Sequence, residues 1–141
     1  MNGRRQRAWI VSAGALALAA TGAGCGTAGD RAQVRAVTER FYAAVGDKDG
    51  RRACTALAQS TIKQLQDQEK APCPRAVEEL DLSVSRVVAV QVFLTSARAK
   101  LADGESAFLD RMGASWKLSA VGCKAEEGKP RDRPFQCEVE A

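Results

Sequence analysis

Four cysteines, Cys54, Cys73, Cys123 and Cys137, occupy the body of this 141-residue chain, and a fifth, Cys25, stands well ahead of them. Nothing else in the sequence limits the fold as strongly. Upstream lie Arg4, Arg5 and Arg7, then the uncharged, mostly apolar run Ala8 to Ala20. Positive charge followed by about 7–15 apolar residues is the order of a secretory leader. The run is short for a membrane span, which needs roughly 20 apolar residues. An even number of cysteines in an exported chain implies disulfides, and four allow three connectivities. The simplest pairs close two short loops, Cys54–Cys73 and Cys123–Cys137, each worth roughly 3 kcal/mol by restricting the unfolded chain. A zinc site would call for close Cys-x-x-Cys pairs, and the sequence has none.

The segment Thr21-Gly22-Ala23-Gly24-Cys25 supplies small residues before the first cysteine. It resembles the end of a bacterial lipoprotein signal peptide, with Ala23-Gly24-Cys25 as the core of the lipobox. That family usually has Leu at the third position before the cysteine, where this chain has Gly22. The resemblance implies a signal peptide over 1–24, a diacylglycerol on the thiol of Cys25, and a membrane partner through that lipid. A tether would follow over 25–29. It also implies a protein held at the extracytoplasmic face of the cell membrane. An ordinary signal cut near Ala23, an uncleaved anchor and twin-arginine export at Arg4-Arg5 are the alternatives.

Removing the leader changes the charge. Three of the 21 Lys and Arg precede Cys25, and none of the 17 Asp and Glu do, so the rest of the chain carries only +1. Nothing in that balance asks for nucleic acid. The 117 residues from Cys25 onward suffice for one domain, expected over 30–141, with a core built mainly from Val, Leu and Ala.

Asp30, with Gln33 three residues on, suggests a helix N-cap. Val34, Val37, Phe41, Ala44 and Val45 then recur at helical spacing up to a C-cap at Gly46. A second helix is expected from Asp49 or Gly50. A third would be capped by Ser60 and run to about Glu69, and Pro74 would open a short fourth. Strands follow at about 84–92, 94–101, 105–112, 115–122 and 135–140, with hairpin turns at 102–104 and 112–114. Trp116, Leu118 and Ala120 read as one inward stripe, with Lys117 and Ser119 outside. Phe135, Cys137 and Val139 read as another stripe. Strict alternation then puts Cys123 on the face away from Trp116 while its expected partner Cys137 faces inward. A bulge at Gly122, or the end of the strand there, would reconcile the two. Lys124 to Pro134 reads as a polar loop, a candidate for docking a partner such as a membrane protein.

Helices first and an antiparallel sheet afterwards is an α+β plan. With its opening helix "VRAVTERFYAAVGDKDGRRAC" and the later "GASWKLSAVGC", the chain resembles the nuclear transport factor 2-like fold, a cone of helices packed on a curved antiparallel sheet. It is similar in particular to small actinobacterial lipoproteins of that fold. Enzymes of the fold, ketosteroid isomerases and polyketide cyclases, work with an Asp and a Tyr in the cone. Here the single tyrosine, Tyr42, and Asp110 are the candidates, with Phe41 and Trp116 beside them as possible pocket lining. The motif does not match residue by residue. The plainer reading puts Tyr42 at a helix–sheet boundary, Asp110 in water, and Phe41 and Trp116 in the core.

The chain has no histidine, which removes histidine-based triads and the commonest metal ligand. No metal, cofactor or catalytic residue is expected. The sequence therefore points to a non-catalytic, lipid-anchored binding module. A small-pocket isomerase or cyclase and a carrier for an apolar small molecule are the alternatives.

Overall fold

The computed structural model describes residues 28–126 and 135–141. Cys25, the expected leader over 1–24 and most of the polar loop lie outside them. Four helices come first: α1 (Ala28–Gly46), α2 (Gly50–Ala56), α3 (Gln59–Glu69) and α4 (Cys73–Glu78). Six strands follow: β1 (Val87–Val92), β2 (Ser96–Leu101), β3 (Ser106–Met112), β4 (Ser115–Ala125), β5 (Phe135–Gln136) and β6 (Val139–Glu140). They form one antiparallel sheet in the order β1-β2-β3-β4, with β5 and β6 both on β4. The architecture is α+β, helices first, as the sequence suggested.

α1 starts two residues earlier than expected, so Ala28 and Gly29 belong to the helix and not to a tether. Asp30 consequently sits inside the first turn and does not cap it. Its carboxylate accepts hydrogen bonds from Arg111 and from Trp116 Nε1, fastening the start of α1 to the β3–β4 hairpin. The guanidinium of Arg111 also stacks 4.6 Å over the Trp116 ring. α2 is capped by Asp49, whose side chain accepts from the backbone N–H of Arg52. At α3 the N-cap position is Ala58, and Ser60 lies within the helix. The Ala58 N–H donates instead to Leu118 O, beside a parallel bridge between Leu57 and Leu118, so the sheet sets the start of α3.

Val34, Phe41 and Tyr42 from α1, Leu65 and Val77 from the other helices, Leu57 between α2 and α3, and Leu101, Leu109, Trp116, Leu118, Val121 and Val139 from the sheet form one buried core. Helices α2 and α4 approach closely. A Cβ on Gly50 would stand 1.9 Å from the carbonyl oxygen of Pro74. The Cys54–Cys73 disulfide ties the same pair of helices, with Cα atoms 6.2 Å apart.

The second disulfide, Cys123–Cys137, is also the expected one. Its surroundings differ from the expectation. The register of β3 on β4 shifts twice, once between Leu118 and Ala120 and once between Ala120 and Cys123. Gly122, at the second irregularity, has φ +64°, so the expected break in alternation is present and the strand continues through it to Ala125. Cys123 pairs with Ser106, in phase with Phe108, on the sheet face turned away from the helices. Phe135 packs edge-on to Phe108 at 5.1 Å on that same side, with Arg98 stacked 4.6 Å over its ring. The last strand is therefore not one alternating stripe. It breaks between Gln136 and Val139, so that Phe135 stays outside while Val139 enters the core opposite Val121. Ser119, expected outside, is buried where the first irregularity lies, and its carbonyl accepts from Thr61 Oγ1.

Candidate functional site

α1 carries Phe41 and Tyr42 side by side into the interior, their rings 5.2 Å apart and edge to face. Trp116 closes the same interior from β4, and all three are at most 2% exposed. Asp110 is not with them. It alternates with the core residue Leu109 and pairs across the sheet with Ser96 and Lys117, on the face away from Tyr42. Three of the four sequence-chosen residues thus belong to one core, with Trp116 toward the start of α1 and Tyr42 at Gly122, and the only acid among them lies outside it.

The Tyr42 hydroxyl has a defined task. The irregularity at Gly122 takes that residue's N–H out of the β3–β4 ladder, and Tyr42 Oη accepts it at 3.3 Å. A side chain at Gly122 would be strained by the backbone, with φ +64°, and its Cβ would push on Glu138 Cγ at 2.6 Å and Leu82 Cδ2 at 2.7 Å. Burial raises the Tyr42 pKa well above the usual phenol value. The Gly122 hydrogen bond opposes this, and the charges of Glu105 and Asp103 add to it.

Glu105 is the acid that the structure places near Tyr42. It stands just before β3, in phase with the buried Ala107 and Leu109. Its backbone closes the β2–β3 turn: the carbonyl accepts from Leu101 N–H, and the N–H donates to Asp103 Oδ1. Its side chain is only 6% exposed. One carboxylate oxygen lies 3.5 Å from Lys124 Nζ, and the other, Oε2, is buried with no hydrogen-bond partner among the described residues. Burial raises the Glu105 pKa, Asp103 raises it further, and Lys124 pulls it down. Beside this end of the sheet lies a polar cleft of about 410 Å³ lined by Gln68, Gly122, Lys124, Gln136, Cys137 and Glu138. A buried carboxyl with a raised pKa beside a polar cleft is equipped to hold or pass a proton. Sequence reading missed Glu105 because it flanks a turn, "ADGE", where acids are ordinarily solvated. Its phase with Ala107 and Leu109 was the available signal.

Among the described residues no cluster of His, Cys, Asp and Glu is arranged to hold a metal ion. No helix among them is long and apolar enough to cross a membrane. The two disulfides indicate an oxidising, extracytoplasmic compartment. No protein-family profile, curated protein or solved structure matches the chain.

Proposed function

We propose that this protein is a lipoprotein anchored through Cys25 to the extracytoplasmic face of the membrane. In this reading its nuclear transport factor 2-like domain works there by binding a partner, without catalytic turnover. The observation that carries the reading is the filled interior. Phe41, Tyr42 and Trp116 occupy the space between helices and sheet, where an isomerase, a cyclase or a carrier of apolar ligands would need a hollow. Asp110 on the opposite face adds to this support. The test is a pair of nearly isosteric substitutions, Asp110→Asn and Tyr42→Phe. Both variants should keep the protein's cellular role while folded, and loss of that role in either overturns the reading. Cys25→Ala, followed by membrane fractionation and intact mass, tests the anchor. The domain should leave the membrane or remain as uncleaved precursor.

Glu105 favours a second reading, an acid–base site at the end of the sheet. Its buried oxygen, without a hydrogen-bond partner among the described residues, and its raised pKa are features found at catalytic carboxyls. Loss of the cellular role in a stably folded Glu105→Gln variant supports turnover, and retention supports binding.

A further inference from the structure

Two hairpin tips and the first turn of α1 meet at one end of the sheet. The backbone N–H of Arg111, at the end of β3, donates to Thr95 O in the β1–β2 tip, which lays the two tips side by side. Arg111 also reaches Asp30 in the first turn of α1. The most exposed apolar side chain of this end is Leu94, 80% exposed, followed by its neighbour Phe93 at 59% and Met112 on the adjacent tip at 48%. Among the described residues β1 is the sheet edge, paired only with β2, and no further strand of them covers this tip. Arg31 is exposed in the same first turn of α1.

We propose that Phe93 and Leu94, with Met112 beside them, form a second membrane contact that seats the domain tip-first on the bilayer. The choice of a bilayer as occupant comes from where the chain leads, and it rests on the proposed acylation of Cys25. Three residue steps separate Cys25 from Ala28, the start of the helix, a reach of at most about 11 Å. A lipid on Cys25 therefore holds this end of the domain at the membrane surface, with the apolar tip beside the anchor and Arg31 among the headgroups. The two acyl chains of a diacylglycerol hold a protein to the bilayer, and a second contact would fix how the domain sits on it. Moving a Phe and a Leu out of water adds about a hundredfold in partitioning. The other exposed basic pair, Arg51-Arg52, follows the opposite end of α1, where Arg52 is engaged by Asp47.

The test uses the full chain carrying Phe93→Trp, purified from host membranes and reconstituted in phosphatidylcholine–phosphatidylglycerol vesicles. The phosphatidylcholine is brominated near the top of its acyl chains, and the wild-type emission is subtracted. A parallel sample carries Val84→Trp, an exposed position that packs near Gly46 at the other end of α1. Bromine lies at the depth of about 5–10 Å that interfacial side chains reach, so emission from Phe93→Trp should fall by about half. Emission from Val84→Trp should not change. Unquenched Phe93→Trp on vesicle-held protein overturns the proposal and leaves the tip to a protein partner or a second copy. Equal quenching at both positions overturns it as well. Intact mass of the same samples reads Cys25 separately. Quenching at residue 93 on protein whose Cys25 is bare supports tip docking and removes the lipid anchor.

Discussion

Replacing Gly50 by alanine adds a single methyl group, and the structure says where it must go. The new Cβ would lie 1.9 Å from Pro74 O, 2.7 Å from Pro74 C and 2.9 Å from Pro74 Cα. These are backbone atoms, so no side chain can swing aside. Ordinary van der Waals contact for a Cβ begins near 3.4 Å. Helix α4 would have to retreat by more than an ångström, and three features oppose that. The Cys54–Cys73 bond holds it to α2, while Ala76 and Val77 pin it in the core. Alanine is the better helix former, by at most about 1 kcal/mol. Overpacking a fixed interior costs about 1–3 kcal/mol, and more where backbone must move. Gly50→Ala should therefore lose about 2–3 kcal/mol, lowering the melting temperature by about 10 °C in a domain of this size. Urea unfolding of the oxidised protein, followed through Trp116 fluorescence, reads the loss. In a Cys54→Ser/Cys73→Ser background α4 is freer to retreat, so the same substitution should cost less there, a coupling that a double-mutant cycle isolates. A Gly50→Ala protein as stable as the wild type would show that the approach of α2 to α4 is not as close as described.

The remaining expectations concern Glu105, Tyr42 and the two bridges. Because burial raises the Glu105 pKa, the folded state holds that proton more tightly than the unfolded chain. Its contribution is full below the ordinary value of 4.5 and declines as pH rises through the raised folded value. Urea midpoints taken from about pH 4 to about pH 8 should show this decline, and Glu105→Gln should flatten it; an unchanged slope in the variant refutes the assignment. Tyr42→Phe leaves the Gly122 N–H buried without its acceptor and should cost about 1–2 kcal/mol in chemical denaturation. A neutral result would mean that the N–H finds another partner. Removing either disulfide should cost about 3 kcal/mol. By amide hydrogen exchange, loss of Cys54–Cys73 should loosen α2 and α4, and loss of Cys123–Cys137 should free 135–141. Uniform loosening in both cases would contradict the local action assigned to each bond.

The elements were legible because their signals are local. The spacing of Val34, Phe41 and Ala44 marked α1, Pro74 marked α4, and the hairpin turns fell between the expected strands. The detail of what each element touches was less so. Val37 and Val45 are only partly buried, while Thr38 and Tyr42 are fully so. α1 meets α2, β1 and β4 at once, so its buried stripe turns relative to the apolar one. The two register shifts in β4 were not readable, apart from the contradiction around Cys123 that pointed to Gly122. Register is decided by the partner strand, and nothing within β4 states it. Gly50 likewise looked like an ordinary turn residue. Its reason for lacking a side chain is a carbonyl that lies 24 residues away in sequence. At the candidate site, sequence reading brought together Phe41, Tyr42 and Trp116 and chose Asp110 as the acid. The strand acid that shares their side of the sheet is Glu105, and strand phase, not residue type, distinguishes it from Asp110.

Both bridges join cysteines that are neighbours in sequence, 19 and 14 residues apart. That has a consequence for how the molecule is made. The crossed pairing would close loops of about 65–70 residues, and closing each costs about 1 kcal/mol more in chain entropy than closing the native one. The native bonds are thus the ones random collisions favour, even in a wholly unfolded chain. If the chain is exported unfolded and N-terminus first, Cys54 and Cys73 are both outside well before Cys123 appears. The first bond can then form while the sheet is still inside, and, with Cys25 acylated as proposed, the late pair would have only each other. For a chain exported in that way, order of arrival and loop length both favour the native pairing.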